Sequence, residues 1–184
     1  VTATPSTGYN FSNWILDGDN RTGTSISITM DANHILQAVF ADKINPEIGT
    51  PTQNPPIGNV QPGQLVTVRV NVTDYGSLVK NVTLFYRNDT TWYPVGMTRI
   101  SGTATSGTWE ANITGHALGT LIHYQIEAYD NAQNYALNNN ATSYFVFTVI
   151  PELPPNAMPI IFMLISTIVM LIALSKPRKT KKLN

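Results

Sequence analysis

The side chains best placed to do chemistry in this sequence are carboxylates and carboxamides. Asp74 closes one segment of alternating apolar and polar residues, and Asp130, Asn131 and Asn134 follow the end of another. If these segments are the second and sixth strands of a two-sheet fold, they finish at the same pole. Their side-chain oxygens would then form a cluster able to hold a hard cation such as calcium, the one cofactor the chain offers. The same residues also suit two ordinary turns capped by Asp and Asn. A second acidic run, Asp17-Gly18-Asp19-Asn20, begins like an EF-hand loop. It fails that pattern, because Gly23 comes one place late and Ile28 stands where a bidentate Glu is required.

No arrangement for covalent or acid–base catalysis is found. His34, His116 and His123 are scattered, and none lies in a zinc-protease or serine-hydrolase spacing. There is no Cys, which removes disulfides, thiolate metal sites and cysteine nucleophiles. No glycine-rich phosphate loop occurs. The chain is therefore expected not to be an enzyme. Modification is another matter: Asn-x-Ser/Thr stands at Asn10, Asn20, Asn71, Asn81, Asn88, Asn112 and Asn140, so the chain is expected to be a glycoprotein.

The formal charge is zero, with 11 basic and 11 acidic residues, but the charges are segregated. Every acidic residue lies at or before Glu152, while Lys176, Arg178, Lys179, Lys181 and Lys182 crowd the C-terminus. The body carries no basic stripe interleaved with aromatics, so nucleic acid is not an expected partner. Charged residues are only 12% of the chain, and Thr, Ser and Asn replace them, as suits a β-rich extracellular protein.

The elements that would position these groups are strands. In the first module, Tyr9, Phe11 and Trp14 supply a buried face, Asp17 to Asn20 a turn, and Ser25 to Met30 and Gln37 to Phe40 two further strands. Beyond a segment rich in Pro and Asn, Leu65 to Val72 sets Val66, Val68, Val70 and Val72 on one face, and Val82, Leu84 and Tyr86 repeat the pattern. Strands follow over Trp92 to Met97, Trp109 to Ile113, Leu121 to Tyr129 and Tyr144 to Val149. With a short first strand near Ile48, about seven strands in roughly a hundred residues suit an immunoglobulin-like sandwich.

Ala157 to Leu174 carries no charge, and only Ser166 and Thr167 interrupt it with polar groups. As a helix it would span about 27 Å, close to the thickness of a bilayer core. The basic cluster behind it predicts a single-pass anchor with the body outside and the tail in the cytoplasm. The expected organisation is thus mainly β: a small repeat at 1–42, a linker at 43–61, a sandwich at 62–150 whose first strand reaches back to about 46, a proline-rich linker at 151–156, a transmembrane helix at 157–175 and a basic tail at 176–184.

Three resemblances follow from these residues. Ala3-x-Pro5, Gly8-Tyr9-x-Phe11-x-x-Trp14, Thr29-Met30-Asp31 and Ala38-Val39-Phe40 resemble the divergent internalin-type B-repeat of bacterial and archaeal surface proteins, here lacking its usual first strand. Leu118-Gly119-Thr120 followed by Tyr124-x-Ile126-x-Ala128-x-Asp130-Asn131-Ala132-x-Asn134 resembles the penultimate strand of fibronectin type III and related immunoglobulin-like surface domains, with Tyr124 near a tyrosine-corner position. Pro151-Glu152-Leu153, with the apolar run and basic tail, resembles the C-terminal sorting signals of archaeal surface proteins, although Leu153 replaces the usual Phe. That last resemblance implies an archaeosortase-like processing enzyme as a partner; the alternative is a retained anchor behind a stiff proline linker.

Together these features predict the C-terminal part of a larger cell-surface protein, membrane-anchored and acting through stalk or adhesion modules. Its partners would be the lipid bilayer and envelope polysaccharide or other surface proteins. Two other readings stay open: a carbohydrate- or protein-binding module, for which Trp92 or Tyr93 would offer a stacking ring, and the anchor region of a secreted hydrolase.

Overall fold

A computed structural model describes residues 1–152 together with Met163, Thr167 and Ile168. Residues 1–150 form one compact unit and residues 151–184 a second. Thirteen strands are described, and every pairing among them is antiparallel.

The N-terminal module is a three-stranded sheet in the order β2-β1-β3, from β1 (Tyr9–Leu16), β2 (Asp19–Arg21) and β3 (Leu36–Asp42). Asp17 and Gly18 both have positive φ, 51° and 94°, as a two-residue hairpin turn that follows the strand twist requires. The register of β1 on β3 shifts between Phe11 and Asn13. This bulge inserts one residue, which changes the side-chain phase and lets Tyr9, Phe11 and Trp14 share a face despite their uneven spacing. Trp14 is buried, with Phe11 5.3 Å away ring to ring and Phe40 in turn 5.9 Å from Phe11.

The strand expected over Ser25 to Met30 does not form. Ser25 makes an isolated bridge to Thr2, and hydrogen bonds link Val1 with Ile26 and Ala3 with Thr24; residues 26–30 are irregular. Alternation alone does not make a strand, which needs a neighbouring backbone to satisfy its amides. Here the available neighbour is the short stretch Val1 to Ala3.

The second module has two sheets around one core, as in a β-sandwich. One is built on β6 (Val66–Thr73), with β4 (Glu47–Ile48) and β5 (Thr52–Asn54) end to end along one edge. Its other edge carries β10 (Ser106–Ile113) and then β9 (Thr98–Gly102). The other sheet is built on β11 (Leu121–Asp130), flanked by β7 (Val79–Arg87) and then β8 (Tyr93–Gly96). On the far side of β11, β12 (Tyr135–Asn138) and β13 (Phe145–Thr148) again lie end to end. Residues 43–61, expected as a linker, therefore contribute two strands, and Val60 belongs to the core. Strands β5, β9 and β12 are not among the expected strands, and Asp19 and Asn20, expected in a turn, belong to β2; all four are short edge strands without a buried residue, so no buried apolar alternation reveals them.

Val66, Val68, Val70 and Val72 on β6 face Val82 and Leu84 of β7 and Ile122, Tyr124, Ile126 and Ala128 of β11 across one buried cluster. In the second unit, Pro151 and Glu152 are exposed and outside any element, and Met163, Thr167 and Ile168 are helical. Leu153, the rest of the expected span at 157–175 and the tail from Lys176 to Lys182 lie outside the described residues. No helix among the described residues is long and apolar enough to cross a membrane.

Leu84 is fully buried at the centre of this core. Truncation to Ala removes its packing and leaves a cavity, so Leu84→Ala is expected to lower unfolding free energy by about 2–5 kcal/mol in a urea titration. A loss below about 1 kcal/mol would show that the two sheets do not close over this position.

Candidate functional site

On β6 the buried residues are 66, 68, 70 and 72, and the same phase continues into Asp74, which is 2% exposed. On β11 the buried residues are 122, 124, 126 and 128, and that phase continues into Asp130, which is 0% exposed. Each core stripe thus ends in a carboxylate, and both ends lie at one pole. There they meet a third, Asp42, the last residue of β3 in the N-terminal module and 8% exposed. One carboxylate oxygen from each of the three lies within 4.8 Å of the others.

Asp74 and Asp130 come together as expected, while Asp42 was missed. It sits outside the sandwich sequence, and only the packing of one module on the other delivers it. The two expected carboxamides divide. Asn134 belongs to the cluster: its backbone amide donates to Asp130 Oδ1 at 2.7 Å and its Nδ2 to Asp130 Oδ2 at 2.7 Å. The same Nδ2 reaches the backbone carbonyl of Asp42 at 3.2 Å, which ties the two modules together. Asn131 turns away, its Nδ2 donating to the carbonyl of Ser77 at 2.8 Å.

Local backbone holds the other two carboxylates by one oxygen each. Ile44 donates its amide to Asp42 Oδ1 at 2.8 Å, and Gly76 donates to Asp74 Oδ1 at 3.1 Å. The second oxygens, Asp42 Oδ2 and Asp74 Oδ2, are buried and accept no hydrogen bond. Gly76 is required here by space: a Cβ at this position would run into the Asp42 carboxyl group. Among the described residues, no Lys, Arg or His forms an ion pair with any of the three. Buried carboxylates without a counter-charge are costly, so the pole is electrostatically incomplete as protein alone. Its donor set is all oxygen, the chemistry of a hard cation rather than of zinc or copper.

The remaining chemically notable groups are dispersed. His34 lies between two carboxylates in the N-terminal module, Nδ1 2.6 Å from Asp17 and Nε2 3.1 Å from Asp31. Both raise its pKa above 6.5, Asp17 the more strongly. Asp17 is held below 3.8, first by the Ile35 amide and then by His34. His116 packs edge-on to Tyr86, and His123 edge-on to Tyr144. Tyr124 is buried and its hydroxyl pushed up to about 12 by that burial. The hydroxyl is 3.4 Å from Gln53 Oε1 on β5, so it contacts a side chain rather than the upstream backbone that a tyrosine corner uses. Asn10, Asn20, Asn71, Asn81, Asn88, Asn112 and Asn140 are all exposed.

Two outcomes are expected. Asn134→Ala removes the donor to Asp130 Oδ2 and the link to the Asp42 carbonyl, so urea denaturation should show a loss of about 1–3 kcal/mol; an unchanged midpoint would mean that Asn134 is not the tie. For His34, whose pKa is raised on folding, the stabilising contribution is full below pH 6.5 and fades as pH climbs through the raised value. Asp17 contributes above 3.8 and loses its contribution as pH falls through its lowered value. An NMR titration of the His34 ring should give a midpoint above 6.5, moving down in Asp17→Asn; a midpoint at or below 6.5 would contradict the clamp.

No curated protein matches the chain. Residues 1–44 match the family model of the divergent InlB B-repeat domain, the segment that contains β1 to β3 and ends two residues beyond Asp42.

Proposed function

We propose that this chain belongs to a non-enzymatic, membrane-anchored cell-surface protein, in which the repeat and an immunoglobulin- or fibronectin-III-like sandwich act as stalk or adhesion modules. The observation that carries the reading is the direct succession of these modules. The B-repeat match ends at residue 44, and β4 of the sandwich opens at Glu47. Between them Lys43 donates its amide to the carbonyl of Gly8 at 2.7 Å, which fastens the exit of the repeat to its own sheet. Such a chain transmits tension from module to module through paired backbone.

Other features support the same reading. The two sheets, with strand orders β4/β5-β6-β10-β9 and β12/β13-β11-β7-β8, divide sequential strands as immunoglobulin-like domains do. The charge-free run from Ala157 to Leu174 before a Lys- and Arg-rich tail suits a single-pass anchor with its tail in the cytoplasm. Pro151-Glu152-Leu153 would instead serve an archaeosortase-like enzyme if the helix is removed. Exposure of all seven Asn-x-Ser/Thr asparagines suits N-glycosylation of an exported face. A sugar-binding role finds less support in the aromatics. The Trp92 ring covers the Arg87 guanidinium at 4.6 Å and meets Tyr144 at 5.3 Å, while Tyr93 leans on Tyr86 at 5.7 Å.

Protease shaving of intact cells, with mass spectrometry of what remains, tests the arrangement. A protected peptide from near Pro151 to Asn184 is the expected result for a retained anchor. A new, lipid-modified C-terminus near Pro151 would establish processing instead. A protected body with a digested basic tail would overturn the cell-surface reading.

A further inference from the structure

The pole where the modules meet presents three carboxylates, at least nine-tenths buried, with two of their oxygens lacking any partner. We propose that Asp42, Asp74 and Asp130 bind one calcium ion, which joins the N-terminal repeat to the sandwich.

Three properties of the cluster carry this. The first is distance: ligand oxygens around calcium lie about 2.4 Å from the ion, so those on opposite sides are about 4.8 Å apart. One oxygen of each of the three carboxylates already lies within 4.8 Å of the others, a spacing that a single ion can bridge. The second is the division of labour within each carboxylate. Asp42 and Asp74 each commit one oxygen to a backbone amide, which fixes the group, and keep Oδ2 buried and unpaired. Asp130 is oriented by both donors of Asn134 and retains further lone pairs for a metal. The third is the absence of any basic side chain paired with the cluster among the described residues. A divalent ion supplies the missing positive charge at the point where it is needed.

Calcium is favoured over magnesium because it tolerates an irregular shell of carboxylates and water, whereas magnesium demands a near-ideal octahedron of smaller radius. Asp42 also borders a cleft lined by Tyr9, Lys43, Ser77 and Asn131, from which water would complete the shell. The ion would act on the junction itself. Asp42 ends β3, Asp74 directly follows β6, Asp130 ends β11, and residues 43–46 form the connection between β3 and β4. With the ion bound the connection is clamped; without it, mutual repulsion of the carboxylates favours separation. The site stands on its own geometry and does not depend on the stalk reading.

The test uses the full chain in detergent, stripped with chelator and titrated with calcium chloride by calorimetry and thermal melting. Binding of one ion per chain is expected, with a rise in Tm of about 5–10 °C at a hundred times Kd. D42N, D74N and D130N should each weaken binding at least tenfold while keeping the β-sheet circular dichroism spectrum. In chelator, D74N should melt no lower than the unsubstituted chain, since it removes one repelling charge. Trypsin cleavage after Lys43 should slow when calcium is added.

No heat and no Tm shift in the folded chain would overturn the proposal. So would an equal loss of stability by D74N with and without calcium, which would mark the carboxylate as a structural hydrogen-bond acceptor only. Equal affinity for magnesium would overturn the assignment to calcium, and unchanged cleavage after Lys43 would overturn the bridging role.

Discussion

The packing of β6 and β11 across the sandwich core constrains most of what surrounds it. Each strand must keep alternate side chains dry along its whole length, since a one-residue slip would turn the entire stripe of Val and Ile residues to solvent. The stripes run Val66 to Val72 and Ile122 to Ala128, and the phase does not stop where the apolar residues stop. It carries Asp74 and Asp130 inward at the same pole. The charged cluster is therefore a product of core packing, held by the same register that excludes water from the strands below it.

That pole is also where the chain enters the sandwich. The edge strand paired with β6 is broken into β4 and β5, so the connection from the repeat arrives beside β6 just below Asp74, with Glu47 opposite Thr73. Asp42 reaches the cluster because β3 ends there, with Asn134 holding its carbonyl and Gly76 leaving room for its carboxyl group. Three separate stretches of sequence thus converge on a volume a few ångströms across. Polar groups buried in such a place are costly unless their partners are present, which couples the three stretches to one another.

Away from the pole, surface chemistry follows strand phase. Asn71 and Asn112 occupy outward positions between buried neighbours, and Asn81 is exposed beside buried Val82, which puts each Asn-x-Thr asparagine toward solvent. Arg87 lies against Trp92 and Tyr144, which gives its guanidinium two adjacent cation–π partners. The rings at this end of the sandwich pack on one another and on Arg87 rather than forming one flat platform.

Period-two alternation was enough to read β6, β7, β11 and the mainly β class from the sequence, because burial on one face is a local pattern that each strand carries by itself. The B-repeat module was legible from Gly8, Tyr9, Phe11 and Trp14, although the bulge that puts those rings on one face is visible only in the ladder with β3. Strand formation at residues 26–30 could not be judged locally, since it depends on whether another backbone lies alongside. Edge strands β5, β9 and β12 were hidden for the complementary reason: their neighbours hold them, not their composition. In the same way the sequence by itself determined that Asp74 and Asp130 terminate core-facing stripes, through their phase. That Asp42 joins them, that Asn134 binds Asp130 while Asn131 turns to Ser77, and that two oxygens are left buried and unpaired were decided only by tertiary structure. The physical reason is that phase is a property of one strand, whereas the meeting of three carboxylates depends on how two modules pack.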